Sequence, residues 1–307
     1  MIFFHTLLAL AATLLLLPTQ IHAATKYKGF SMGANTKTGA CKSQADWEAD
    51  FRAIKSWGKG FNCIRLYASS DCGTLANAVP AAQAVGFKLL VGVWATDAGH
   101  FGAEKAALLS AIQRFGTAWI AGVSVGSEDL YRKDISPQQL ANQIYDVRGM
   151  VRQFNKSIQV GHTDTWTAWV DGANDVATKA CDMVIINGFP YWQGVPIRDA
   201  IKQKTFQNSV WDTKRHIQAF APNMPFWVGE TGWPTQGDHF GGAAPAKTNA
   251  NNYYNNAACW MFGNINLVGA FYFTAFDTPT SSGDHGGVEK YFGIADSNRK
   301  LKWTLAC

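Results

Sequence analysis

Short apolar runs recur along the chain at residues 27–33, 61–67, 87–94, 119–125, 158–162, 183–187, 226–230 and 267–273, and most are followed by a longer amphipathic stretch. The helical patterns fall at 43–57, 75–85, 104–115, 136–154, 166–178, 206–220 and 246–262. In the first, Trp47, Phe51 and Ile54 share one helical face, and the stretch from 136 opens with a Ser136 cap and Pro137 in the first turn. Regular alternation without a break in composition predicts a parallel sheet covered by helices. Eight such units predict closure into a single-domain (β/α)8 barrel. A doubly wound open sheet is the alternative, because counting strands cannot show closure.

One segment stands outside this alternation. Residues 7–17 form an apolar run of signal-peptide length, and Ile21-His22-Ala23 offers a small residue for cleavage. Residues 1–23 are therefore expected to be a signal peptide and 24–307 the catalytic barrel, although the leading flank carries only His5 and the free amine where Lys or Arg is usual. The run is too short to cross a bilayer and no other is longer, so no membrane span is expected. Export to the cell exterior or wall also fits six cysteines, at 41, 63, 72, 181, 259 and 307. The even number allows up to three disulfides, but the spacing identifies no pair and matches no zinc pattern. Asn155-Lys156-Ser157 is the single glycosylation sequon. The net charge of +5 is dispersed, as at Arg132-Lys133, with no run of five like charges. That pattern reads as solvated faces, so no nucleic-acid partner is expected, and the chain is expected to act as a monomer.

Barrel enzymes place their chemistry at the carboxyl ends of the strands. The residues just past the runs include Arg65 and Tyr67, Asp97, Ser127 and Glu128, Asp164, Asn187 and Tyr191, Glu230 and Trp233, and Asp277. Glu128 and Glu230 stand out, ending the fourth and seventh runs with glycine close before each. Two carboxyl groups facing each other at about 5–5.5 Å are what retaining cleavage of a glycosidic bond requires. One must be ionised to attack the anomeric carbon and the other protonated to serve the leaving oxygen, and crowding two carboxylates in a partly dry cleft drives their proton affinities apart. Arg65, Tyr67, Asp97, Asp164 and Asn187 fit a cleft that hydrogen-bonds sugar hydroxyls, with Tyr67 placed to hold the attacking carboxylate. Of the tryptophans, Trp47, Trp57, Trp211 and Trp260 have helical spacing and read as core. Tyr67, Tyr191, Trp192 and Trp233 lie past strand ends and read as platforms for pyranose rings.

Two other chemistries are read against. Gly122-Val123-Ser124-Val125-Gly126 satisfies the serine-hydrolase elbow pattern, but Ser124 stands between valines inside a strand-like run and no helix is expected before Ser136. His162, His239 and His285 are isolated, so neither a metal nor any other cofactor is expected.

The stretches Val123-Ser124-Val125-Gly126-Ser127-Glu128-Asp129-Leu130-Tyr131-Arg132 and Trp227-Val228-Gly229-Glu230-Thr231-Gly232-Trp233-Pro234 resemble the two signatures of glycoside hydrolase family 17. Ile64-Arg65-Leu66-Tyr67 and Asn187-Gly188-Phe189-Pro190-Tyr191 are similar to further blocks of that family. The resemblance implies a (β/α)8 barrel, retention of configuration, Glu128 as proton donor and Glu230 as nucleophile, acting on β-1,3-glucan or laminari-oligosaccharides. Ser127 replaces the Asn that many members carry before the acid, which looks like the fungal cell-wall branch, many of whose members transfer the glycosyl unit to another glucan instead of to water. Thr274 stands where related sequences often carry an acidic residue, while Glu289 resembles an acidic residue of the family and is given a supporting role. The expected function is thus a β-1,3-glucanosyltransferase. A mainly hydrolytic endo-β-1,3-glucanase is the alternative, and a glucan-binding wall protein on an inactive barrel is the alternative of another class.

Overall fold

A computed structural model describes residues 27–281 and 286–307, so the expected signal peptide and His285 lie outside the described residues. Each apolar run becomes a strand: β1 (Tyr27–Met32), β2 (Cys63–Leu66), β3 (Lys88–Val93), β4 (Ile120–Ser127), β5 (Val160–Thr165), β6 (Val184–Asn187), β7 (Phe226–Glu230) and β8 (Gly269–Tyr272). They pair in chain order, all parallel, and β8 returns to β1 through Tyr27 opposite Gly269 and Phe30 opposite Tyr272. The sheet is a closed barrel, which removes the open-sheet alternative.

Around it lie α1 (Gln44–Ser56), α2 (Thr74–Val85), α3 (Ala98–Phe115), α4 (Asp129–Arg132), α5 (Pro137–Arg152), α6 (Trp166–Trp169), α7 (Asp175–Ala180), α8 (Ile197–Lys202), α9 (Thr205–Gln218), α10 (Lys247–Tyr253) and α11 (Cys259–Gly263). Capping chemistry sets the starts of α1 and α5. Ser43 and Ser136 each accept the amide three residues on, and Asp46 and Gln139 reach back to the cap amides. Two predicted helices are broken. The stretch 166–178 divides into α6 and α7 around Asp171, whose carboxylate accepts the Ala173 amide and favours a tight turn. The stretch 246–262 passes through a π turn at Tyr254–Ala258.

Inside and outside separate by the period of two along each strand. Cys63, Leu90, Met183, Ile185, Trp227 and Phe271 fill the barrel interior as a distinct cluster. Two residues further along β2 and β6, on the same inward face, come Arg65 and Asn187. The barrel is therefore apolar in its body and polar at the carboxyl rim. Val91, Val123, Val125, Val184, Ile186 and Val228 point the other way and pack under the helices. Trp47 is wholly buried there, and Trp57 and Trp260 pack against the same core, as helical spacing implied.

Two disulfides close the structure, Cys41–Cys72 and Cys259–Cys307, leaving Cys63 and Cys181 as buried thiols. The six cysteines thus make two bridges rather than three. No helix among the described residues is long and apolar enough to cross a membrane. The Cys259–Cys307 bridge spans a sequence separation of 48 and anchors the carboxyl terminus, where Tyr254 donates to the Cys307 carbonyl. Replacing both cysteines by Ser is expected to lower stability by about 3–4 kcal/mol, read from the urea midpoint. An unchanged midpoint would show that the terminus contributes nothing to cooperativity.

Candidate active site

Both glutamates stand where the strand register breaks. On β7 the register runs Ile186 opposite Val228 and then Asn187 opposite Glu230, so Gly229 is an extra residue and Glu230 is rotated toward the inward face that Gly229 would have taken. A Cβ at Gly229 would lie 2.8 Å from the Asn187 Oδ1 atom and 2.9 Å from Ile185, so only glycine fits. On β4 the register slips between Ser124 and Ser127, with Gly126 at φ +73°. Glu128 follows at φ +62°, a left-handed conformation that costs a non-glycine residue about 1–2 kcal/mol. Its amide is held by the Thr163 carbonyl at 2.8 Å, and α4 starts at the next residue.

Glu128 and Glu230 line one cleft of about 590 Å³ together with Asn187 and Glu289. Their environments differ in charge. The Arg65 guanidinium, 1% exposed, donates through Nη1 to Glu230 and through Nη2 to the Ser127 hydroxyl at 3.0 Å. It also lies 4.7 Å above the Tyr67 ring. Glu128 meets its cation at longer range. Its Oε1 accepts from the Asn187 amide at 2.8 Å, and Arg132 stands 3.5 Å from its Oε2. Burial first, and then the charge of Glu230, raise the Glu128 carboxyl to about 7, against the lowering effect of Asn187. Burial and the same two carboxylates raise Glu289 to about 7. A carboxyl that keeps its proton near neutrality beside a carboxylate tied to an arginine can serve as acid and nucleophile in one site.

The chain matches the family model of the BtgE/BtgC glycoside hydrolase domain over residues 29–293. It is 38% identical to "Glucan 1,3-beta-glucosidase" of Saccharomyces cerevisiae, covering 99% of this chain and 98% of that protein. It is 39% identical to the protein of the same name from Schizosaccharomyces pombe, covering 91% and 86%. A solved glycoside hydrolase family 17 β-1,3-glucanosyltransferase from Rhizomucor miehei superposes with a TM-score of 0.78 at 30% identity, covering 91% of this chain and 97% of that one. The chain belongs to glycoside hydrolase family 17. It is an enzyme of that type on a (β/α)8 barrel.

Within this family 17 barrel not every residue expected at the cleft is found there. Asp97 is exposed and caps α3 by accepting the His100 amide. Asp277 pairs with Lys302 at 2.7 Å and borders a separate groove with Asn35 and Arg299. Asp164 is wholly buried against His162. Tyr191 and Trp233 have no exposed surface. The Tyr191 hydroxyl donates to the Asp238 carbonyl and the Trp233 indole to that of Ala244, and both are buried and offer no face to a sugar. Tyr67 backs Arg65, with burial first and then the Glu230 charge raising its hydroxyl well above the usual value. Thr274 is buried, donating to the Ser31 carbonyl.

The cleft's other aromatic walls are Tyr131, Trp166, Phe189, Phe240 and Phe273. Tyr131 could have been found from its place three residues after Glu128 had α4 been foreseen. Phe240 sits in a long loop and carries no local signal. Ser124 lies within β4 with its hydroxyl against Thr163 and the Gly126 carbonyl, not at a strained turn, but α4 does begin earlier than expected. His239 is exposed. Asp71, His100 and Glu104 approach one another as metal ligands would, yet the Glu104 carboxylate already accepts the amides of Ser69, Ser70 and Trp94.

Because the Asn187 amide stabilises the ionised form of Glu128, Asn187→Ala is expected to move the Glu128 titration upward by about one unit. An NMR titration of the carboxyl carbon checks it. A midpoint that stays or falls would remove Asn187 from the account.

Proposed function

We propose that the enzyme cleaves β-1,3-glucan with retention and passes the glycosyl unit to a second glucan, outside the cell. The observation that carries this reading is the electrostatic contrast between Glu128 and Glu230 across one cleft. Glu230, paired with Arg65, attacks the anomeric carbon. Glu128, holding its proton to about 7, delivers it to the departing oxygen. A glycosyl ester on Glu230 results, and Glu128, now a base, takes a proton from the incoming hydroxyl. Ser127 shares Arg65 with Glu230, so the guanidinium that holds the nucleophile is itself oriented from the acid's strand. The substrate class is supported by the relatives' names and by a solved complex of a Rhizomucor miehei β-1,3-glucanosyltransferase active-site mutant with laminaritriose, similar to this chain at a TM-score of 0.77 and 29% identity.

Transfer over hydrolysis is favoured by the cleft wall. Tyr131 is 59% and Phe240 44% exposed, and with Trp166 and Trp192 they offer apolar faces on which a sugar can displace water ahead of the acceptor step. The relatives named glucan 1,3-β-glucosidase favour the hydrolytic alternative. Secretion is favoured by the disulfides and by residues 1–23, read as a signal peptide preceding a catalytic domain at 24–307.

Incubation with short β-1,3-oligosaccharides is expected to yield products longer than the substrate, sized by mass spectrometry. Shorter products alone would establish the hydrolytic reading. Glu230→Ala is expected to abolish turnover, with about 10³-fold or greater loss, and added azide to restore it as the glycosyl azide of inverted configuration. Turnover by that variant without azide would overturn the role of Glu230.

A further inference from the structure

The turn that carries Glu128 rests on a buried histidine. His162 is wholly buried on β5, and its two ring nitrogens reach opposite ends of the β4–α4 turn. Nδ1 lies 2.6 Å from the Val125 carbonyl, three residues before Glu128. Nε2 lies 2.8 Å from the Asp164 Oδ2 atom, which also accepts the Leu130 amide, two residues after Glu128, at 3.0 Å. A carbonyl only accepts, so Nδ1 carries a proton. Asp164 accepts an amide on each oxygen, from Leu130 on Oδ2 and Thr165 on Oδ1, so it faces donors on both sides and Nε2 donates to it. A ring that donates from both nitrogens is an imidazolium.

A second buried acid faces the ring: burial raises its carboxyl, and the charge of His162 is the first influence acting against that. Asp129, the residue after Glu128, is wholly buried, and no side chain among the described residues hydrogen-bonds its carboxyl oxygens. Its Oδ2 lies 3.9 Å from His162 Nδ1. Gly126 provides the space, since a Cβ there would stand 1.9 Å from that oxygen and 3.2 Å from the imidazole ring. Two buried carboxylates, Asp129 and Asp164, thus face one imidazole. The other charged or titratable groups near it are Arg132 on α4, which acts on Asp129, and the Cys181 thiol after α7, which faces the His162 backbone. Trp169 of α6 closes the remaining side edge-on at 5.6 Å. Burial opposes a charge on the ring, but the Asp164 hydrogen bond and the charges of Asp164 and Asp129 outweigh it.

We infer that His162 is a positioning residue, a buried imidazolium that clamps both ends of the Gly126–Asp129 turn and thereby aims Glu128 as proton donor. The inference rests on the assignment of Glu128 above and concerns the acid step alone. The ring exchanges no proton with substrate.

The test separates the acid step from general damage. In His162→Gln, kcat/KM on laminari-oligosaccharides is expected to fall about 100-fold, the loss typical of a misplaced general acid. On the dinitrophenyl β-glycoside of laminaribiose, whose leaving group needs no proton, kcat/KM is expected to change by less than about threefold. Equal losses on both substrates would overturn the inference. The ring's charge is read independently by NMR of labelled histidine in the wild-type full chain, which keeps the test decisive if the variant does not fold. Both His162 nitrogens are expected to remain protonated at about pH 7, and a neutral ring there would overturn the inference. Wild-type protein inactive on both substrates but carrying the imidazolium would instead refute the glucan-cleaving function.

Discussion

The Arg65 guanidinium holds the cleft together. It is 1% exposed, it donates to Glu230 and to Ser127, and it lies over the Tyr67 ring. Such a buried charge is tolerated only because a carboxylate meets it, and removing one partner of a buried pair costs about 3–5 kcal/mol. Glu230 is that partner. Burial first, and then the charge of Glu230 across the cleft, lead the second carboxyl to keep its proton. Burial on the fourth strand and an arginine partner on the seventh thus set apart two chemically identical side chains.

That electrostatic separation depends on backbone geometry that strand alternation alone would not deliver. A regular β7 would direct Gly229 inward and Glu230 into the helical layer. The extra residue opposite β6 reverses this, while β4 ends in a register slip with left-handed residues at Gly126 and Glu128. Bulges at the rims of barrels re-aim side chains in this way. The structural demand is met by small residues where side chains would collide and by buried polar groups beneath the turn, with His162, Asp129 and Asp164 forming the layer under Glu128.

Much of this was legible in the residues. Every apolar run became a strand because burial on both faces of a closed parallel sheet demands such runs, and Glu128 and Glu230 were marked by their strand-end positions beside glycine. The errors share one cause. Tyr191 and Trp233 lie past strand ends, where exposure was expected, but the loop bearing Phe240 folds over them and Trp192 takes the cleft position instead. Asp97, Asp164 and Asp277 are polar residues at the rim whose partners are His100, His162 and Lys302. A position at the rim does not say which way a side chain faces, since its neighbours come from distant segments.

The order of strands and helices, the polar rim and the two carboxylates were determined by the sequence alone, because periodicity, capping and glycine placement act over a few residues. Closure of the sheet, the pairing of Cys259 with Cys307, and the asymmetry between Glu128 and Glu230 were decided only by tertiary structure. Each depends on distance between groups far apart in the chain. Burial and Coulomb interaction are properties of that distance, and so the same residue type holds its proton on one strand and is tied to an arginine on another.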